Sequence, residues 1–317
     1  MSSLRGKVAL VAGATRGAGR GIACMLGEAG ATVYCTGRSV PGKPATPGRP
    51  ETIDETADLV TSRGGNGIPV MCDHTQTAQV KALAARIKSE SGGLDILVND
   101  IWGGDALTEF GKPFWQVSLD KGHVMLERAI FSHIITSQNA VPLMFDRPTP
   151  GLVVEVTDGN SFTYRGNIFY DLVKTSVIRL AFIMARELRR RSVTSVCVTP
   201  GFMRSEEVLD SMGVREANWR DGTMREPNLE ASETPFFIGR AIARLAADPD
   251  VAVKNGRVLT SWDLAEEYGI DDVDGRRPNW GRHFREKYGD FKVCDEAFYE
   301  YWRGGPIELV FPNWPTE

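Results

Sequence analysis

KVALVAGATRGAGRG, residues 7–21, passes from an apolar run through a cluster of glycines into a helix-forming segment. Five consecutive apolar residues, Val8 to Ala12, suit a strand buried on both faces of a parallel sheet. Gly13 ends that run, and Gly17, Gly19 and Gly21 lead into Ile22-Ala-Cys-Met-Leu26. Without a Cβ the backbone turns sharply and lets a phosphate approach the first N–H groups of the helix. The unit therefore predicts strand, glycine turn and helix, with a dinucleotide pyrophosphate as ligand. A plain tight turn is the alternative for so short a match.

At 317 residues and 42% hydrophobic content the chain can bury one large α/β core. The net charge of −4 and the lack of a dense basic block argue against a nucleic-acid partner; the run Arg189-Arg190-Arg191 suits a helix C-terminus. Five scattered cysteines without metal-ligand spacing read as reduced, buried thiols, and the four histidines give no metal site. No apolar run approaches the length of a membrane span, so a cytoplasmic protein without a membrane partner is expected.

Further strands are predicted at 31–36, 67–72, 94–98, 151–156, 193–198 and 257–260, and helices at 51–63, 79–88, 122–144, 169–191 and 235–247. The second strand runs into Gly37-Arg38 with no acid to take ribose hydroxyls, and Arg16 lies in the glycine turn. Together they favour NADP(H) over NAD(H). Residues 40–50, VPGKPATPGRP, read as a loop beside the adenosine end. Asp73, closing the third strand, either meets the adenine or caps the next helix. Residues 202–234 show little periodicity and read as a lid, whereas 270–317 form an aromatic-rich extension packed on the body, here taken as 1–269, or on a neighbouring subunit.

The order Gly13-x-x-x-Gly17-x-Gly19, Asp73, Asn99 with Gly103, Tyr170-x-x-x-Lys174 and Pro200-Gly201 resembles the short-chain dehydrogenase/reductase family over roughly residues 7–263. The resemblance implies a single-domain Rossmann fold, a doubly wound parallel sheet of seven strands, assembled as a homodimer or homotetramer. It implies cofactor contacts from Gly13, Thr15, Arg16, Gly17, Ala18, Gly19, Arg38, Asp73, Asn99, Tyr170, Lys174, Pro200 and Gly201. It also implies an NADP(H)-dependent oxidoreductase interconverting a carbonyl and an alcohol, here on a fairly apolar small molecule. Tyr170 and Lys174 stand one helical turn apart, so the ammonium is expected to lower the phenol pKa and make Tyr170 a proton donor near neutrality.

Two family positions are altered. The hydroxyl expected after the fifth strand falls at Thr157 or Asp158, with Ser161 as a substitute donor. An ionised Asp158 only accepts hydrogen bonds, so assisting the substrate oxygen requires its proton, which burial would favour. The asparagine expected near residues 125–128 is absent, and Glu127 is the best match for holding a relay water. These changes keep open an NADP-binding sensor without catalysis and a non-redox isomerase or dehydratase.

Overall fold

The structure, a computed structural model, describes residues 4–304. Seven strands, β1 Val8–Ala12, β2 Thr32–Gly37, β3 Asn66–Met71, β4 Ile96–Asn99, β5 Gly151–Val156, β6 Val193–Thr199 and β7 Val258–Thr260, form one sheet in the order β3-β2-β1-β4-β5-β6-β7. Every pairing is parallel. The expected doubly wound sheet is the observed one. Its apolar runs are buried on both sides because helices cover both faces.

Alternate side chains serve opposite layers. Ala9, Val11, Ile96, Val98, Val154 and Val196 meet α1 (Gly17–Glu28), α2 (Ile53–Ser62), α8 (Pro235–Ala246) and α9 (Ser261–Tyr268). Leu10, Leu97 and Val153 face α3 (Thr77–Ser91), α5 (Ser132–Ala140) and the end of α6 (Ile168–Glu187). Each such valine, leucine or isoleucine, fully buried, contributes roughly 1.5–3 kcal/mol. The remaining helices are α4 (Leu119–Leu126), α7 (Glu206–Met212), α10 (Trp280–Tyr288) and α11 (Glu296–Arg303). Among the described residues no helix is long and apolar enough to cross a membrane.

The helix predicted over 122–144 is interrupted. A π turn at Glu127–Phe131 separates α4 from α5, because the amide of Ser132 bonds the carbonyl of Glu127, five residues back. The Ser132 hydroxyl meanwhile takes the Arg128 carbonyl at 2.5 Å, a local side-chain bond that competes with the regular ladder. In the predicted lid lie α7 and two 3-10 segments. The tail packs on the body as far as it is described: Tyr299 accepts the Val258 N–H of edge strand β7 at 2.7 Å, and Trp302 stacks edge-on against Phe182. Residues 305–317 lie outside the described residues.

The order of strands reverses at β1 and β4. Their carboxyl ends open into a crevice of about 660 Å³, the place where ligands bind in open α/β sheets.

Candidate active site

The glycine turn forms one end of the crevice. A Cβ on Gly13 would lie 2.3 Å from the Asp100 carbonyl, and one on Gly19 would lie 2.3 Å from the Gly13 carbonyl. These two glycines let β1, α1 and the end of β4 touch where no side chain fits. Gly13, Thr15, Arg16, Gly17 and Ala18 line the crevice, whereas Gly19 packs behind it. The first turn of α1 contains no acid and no side-chain cap, so its positive end turns to carboxylates from elsewhere. Gly17 N–H donates to Glu206 Oε2 at 2.8 Å, and Gly19 N–H bonds the Asp100 carboxylate.

Arg38 lines the adjacent wall, its Nη2 lying 3.3 Å from where a Gly103 Cβ would be. Arg16 donates to Thr46 Oγ1 at 3.1 Å, bringing the 40–50 loop to the rim. Arg49 fastens that loop through Glu51 and, at 2.5 Å, through Asp210 of α7. Asp73 also lines the crevice, but its Oδ1 accepts the amide and hydroxyl of Thr75 at 3.0 and 2.8 Å. It shapes the turn after β3, and Gln76 is the residue preceding α3.

Asn99 is not on the crevice wall. It occupies the last rung of β4, opposite Ala12, and by strand alternation points the same way as Leu97, toward α5. Its Nδ2 donates to Ser137 Oγ at 2.9 Å and Glu155 Oε1 at 2.6 Å. Glu155 also meets His133 Nδ1 at 2.5 Å, and His133 Nε2 reaches the Ile101 carbonyl at 3.0 Å. Asn99 therefore belongs to a buried network under the β4 loop; the crevice side chain is its neighbour Asp100. Burial works against a charged His133, yet the Glu155 carboxylate outweighs it and the imidazole pKa is raised.

At the other end, α6 is started by Asn167, whose Oδ1 accepts the amides of Phe169 and Tyr170. This cap presents Tyr170 and, one turn on, Lys174 to the crevice. Tyr170 Oη donates to Asp158 Oδ2 at 2.7 Å, so Asp158 and not Thr157 stands beside the phenol. Thr157 is buried, and its hydroxyl is committed to the Lys174 carbonyl at 2.7 Å. Ser161 is likewise turned to Thr163. Asp158 itself is exposed. Lys174 Nζ lies 4.3 Å from the Trp102 ring centroid and 5.4 Å from that of Tyr170.

The electrostatics differ from the expectation in sign. The phenol of Tyr170 is pushed up, first by burial and then by the Asp158 carboxylate; the ammonium does not bring it down. Burial lowers the Lys174 pKa against the opposing pull of Asp158, Asp100 and Asp105. Asp100 is pushed up to about 7 by burial, while Lys174 and the Gly19 amide oppose the shift. Glu127 fares worse than any other expected residue. It is exposed and off the crevice, which its neighbour Arg128 lines instead. Arg128 Nη1 donates to the Gly103 carbonyl at 3.0 Å.

Several wall residues have no local signature in the chain. Glu206 and Glu207 come from α7, Asn228 from a 3-10 turn, and Trp280 from the C-terminal tail. Asn228 Oδ1 takes His283 Nε2 at 2.9 Å and Lys287 Nζ at 2.8 Å, which binds lid to tail. Trp280 stacks on His283 and tilts against Phe202. The tail thus walls the crevice of its own chain. Aromatic clustering in the tail was its one visible signal.

The sequence profile of the short chain dehydrogenase family matches residues 7–212. The chain belongs to this family. Dehydrogenase/reductase SDR family member 1 of Mus musculus is 34% identical over 281 residues, which cover 87% of this chain and 86% of that protein. Among solved structures, a short chain dehydrogenase from Mycobacterium thermoresistibile superposes with a TM-score of 0.73 at 24% identity, covering 88% of this chain and 93% of the other. L-Sorbose reductase from Gluconobacter frateurii, solved with NADPH and L-sorbose, superposes with a TM-score of 0.68 at 18% identity, covering 88% and 98%. At those identities the two structures bear on the fold of this short-chain dehydrogenase alone.

Proposed function

We propose that this short-chain dehydrogenase is an NADP(H)-dependent oxidoreductase that interconverts a carbonyl and an alcohol on a small molecule. The observation that carries the reading is the meeting of Tyr170 and Lys174 with the glycine turn in one crevice at the carboxyl ends of β1, β4 and β5. The residues fit a dinucleotide: Gly13 and Gly19 leave no space for a side chain, while Gly17, at φ +56, has nothing within less than 4.0 Å of its missing Cβ. The first amides of α1 suit a pyrophosphate. Arg16 and Arg38, with no acid closing β2, suit a 2′-phosphate, and the NADPH in the sorbose reductase agrees with that choice. When bound, the nicotinamide supplies the hydride.

The chain supplies the proton and the geometry. Tyr170, whose raised pKa keeps Oη protonated at neutral pH, donates to the carbonyl oxygen. Lys174 stands one turn further along α6, beside the Trp102 ring. Asp158, exposed, accepts the phenol O–H; the phenol has one proton, so it must turn from this carboxylate to the carbonyl oxygen for the transfer. Trp102 and Phe110 stand edge-on to the Tyr170 ring at 5.4 and 5.5 Å, and with Phe202 and Trp280 they give the substrate aromatic walls. Phe131, Ile134, Leu172 and Ile183 are exposed on the π turn, α5 and α6, which supports a homodimer or homotetramer; the mass in solution tests it.

The test is NADPH oxidation against a panel of aldehydes and ketones, with Tyr170→Phe in parallel. Loss of the proton donor is expected to lower kcat by roughly 10²–10⁴ while NADPH affinity stays within about twofold. Unchanged turnover in the variant would remove Tyr170 from its role.

A further inference from the structure

Beneath the Pro200–Gly201 turn lies a carboxyl group that the proposed reaction does not use. Glu233 is 1% exposed. It sits between the lid and α8, where its carbonyl accepts the Arg204 amide at 2.8 Å and its amide donates to the Phe202 carbonyl at 2.9 Å. Its Oε2 accepts the Gly201 N–H at 2.9 Å and the Ser261 hydroxyl of α9 at 2.6 Å. Its Oε1 is buried with no hydrogen-bond partner among the described residues. From the other side, a Cβ on Gly201 would lie 2.6 Å from Trp280 Cβ and 3.1 Å from Glu233 Oε2. The turn is therefore clamped between Glu233 below and the tail's Trp280.

Oε2 accepts twice while the buried Oε1 meets no partner among the described residues; an ionised carboxylate would leave half its charge there without a donor, whereas a neutral acid would leave one O–H without an acceptor, the smaller cost. The surroundings agree. Burial pushes the acid up to about 8 and Asp272 adds to the rise, while Ser261, the Gly201 amide and Arg204 hold it down. The groups on neighbouring elements are otherwise engaged. Arg204 is bound to Glu216 and Asp274, Asp272 takes the amide and hydroxyl of Thr234, Asp263 takes Thr260, and His283 of α10 faces Asn228.

We propose that Glu233 is a positioning residue: as a neutral acid it braces the Pro200–Gly201 turn and so fixes the crevice wall on which the nicotinamide end of the dinucleotide rests. The location of that end rests on the function proposed above. The bracing does not.

Glutamine is the test, since its amide keeps the accepting oxygen and stays neutral at every pH. NADPH affinity is measured by fluorescence from pH 6.5 to 9 for wild type, Glu233→Gln and Glu233→Ala, with thermal melts to show that each is folded. Wild type and Glu233→Gln should agree at pH 6.5. At pH 9, where more of the acid is ionised, wild type should bind severalfold less tightly than Glu233→Gln. Glu233→Ala should bind weakly throughout. Superimposable wild-type and glutamine profiles, or wild-type affinity in the alanine variant, would overturn the proposal. A second readout needs no dinucleotide: hydrogen exchange of the Gly201 amide should be slower in Glu233→Gln than in wild type at pH 9 and equal at pH 6.5. Failure to bind NADPH at any pH would count against the proposed function, and the exchange rates would still decide whether Glu233 holds the turn; equal rates at pH 9 would refute it.

Discussion

The two ends of the crevice are built by different means. At the glycine end the shape is backbone, contributed mostly by one uninterrupted stretch from β1 into α1. Contacts of 2.3 Å to imagined side chains at Gly13 and Gly19 show how little tolerance it has. At the tyrosine end the shape is side chain, assembled from the β4 loop, β5, α6, the lid and the tail. Backbone geometry is a local property of sequence and survives changes elsewhere. A wall made by five separate segments depends on the whole fold.

The contrast is easiest to break at the backbone end. Gly19→Val would drive a branched side chain into the Gly13 carbonyl and the Asp100 carboxylate, 2.3 and 2.9 Å from its Cβ. Overpacking of this kind costs roughly 1–3 kcal/mol and more where backbone must move. Dinucleotide binding should fall by about 100-fold, with a lowered Tm. Retention of both affinity and Tm would mean that the turn is looser than these contacts require.

A milder change separates the cofactor's phosphate from its frame. Arg38→Ala leaves the glycine turn intact but removes a cation from the wall beside Gly103. A charge-assisted hydrogen bond contributes about 1.5–3 kcal/mol. NADPH affinity should therefore drop some 10- to 100-fold while NADH affinity stays within about twofold, as titration of the two cofactors side by side would reveal. Equal losses for both would place Arg38 in the frame and not at a 2′-phosphate.

These two ends were unequally legible in the sequence, for physical reasons. β1, most of β4 and most of β5 are apolar runs because both of their faces are covered, and the glycines announce a turn that no other residue allows. Tyr170 and Lys174 share a face through helical spacing alone. Asn99 was misplaced because its position depends on strand alternation carried one rung further than the apolar run suggested. Glu127 was misplaced by one residue: its neighbour Arg128, at the start of the π turn, is the side chain on the crevice, and periodicity does not register such a turn. Glu206, Asn228, Glu233 and Trp280 reach the site, or the turn beside it, only through tertiary packing.

Glu206 is where the side-chain end reaches over to the backbone end, and it supports the smallest expected effect. Its carboxylate sits on the Gly17 N–H at 2.8 Å, with Arg20 at 3.9 Å, at the positive terminus that a pyrophosphate would use. A negative charge there is stabilised by about 0.3–1 kcal/mol, and a dinucleotide has to displace or outcompete it. Glu206→Gln retains an oxygen for the Gly17 amide but gives up the charge. NADPH should then bind about two- to fivefold more tightly, most clearly at low ionic strength, where screening is weakest. Weaker binding in the variant would reverse the sign of this account: Glu206 would be holding the lid in the conformation that receives the cofactor, and the backbone end would depend on the distant segments as much as the tyrosine end does.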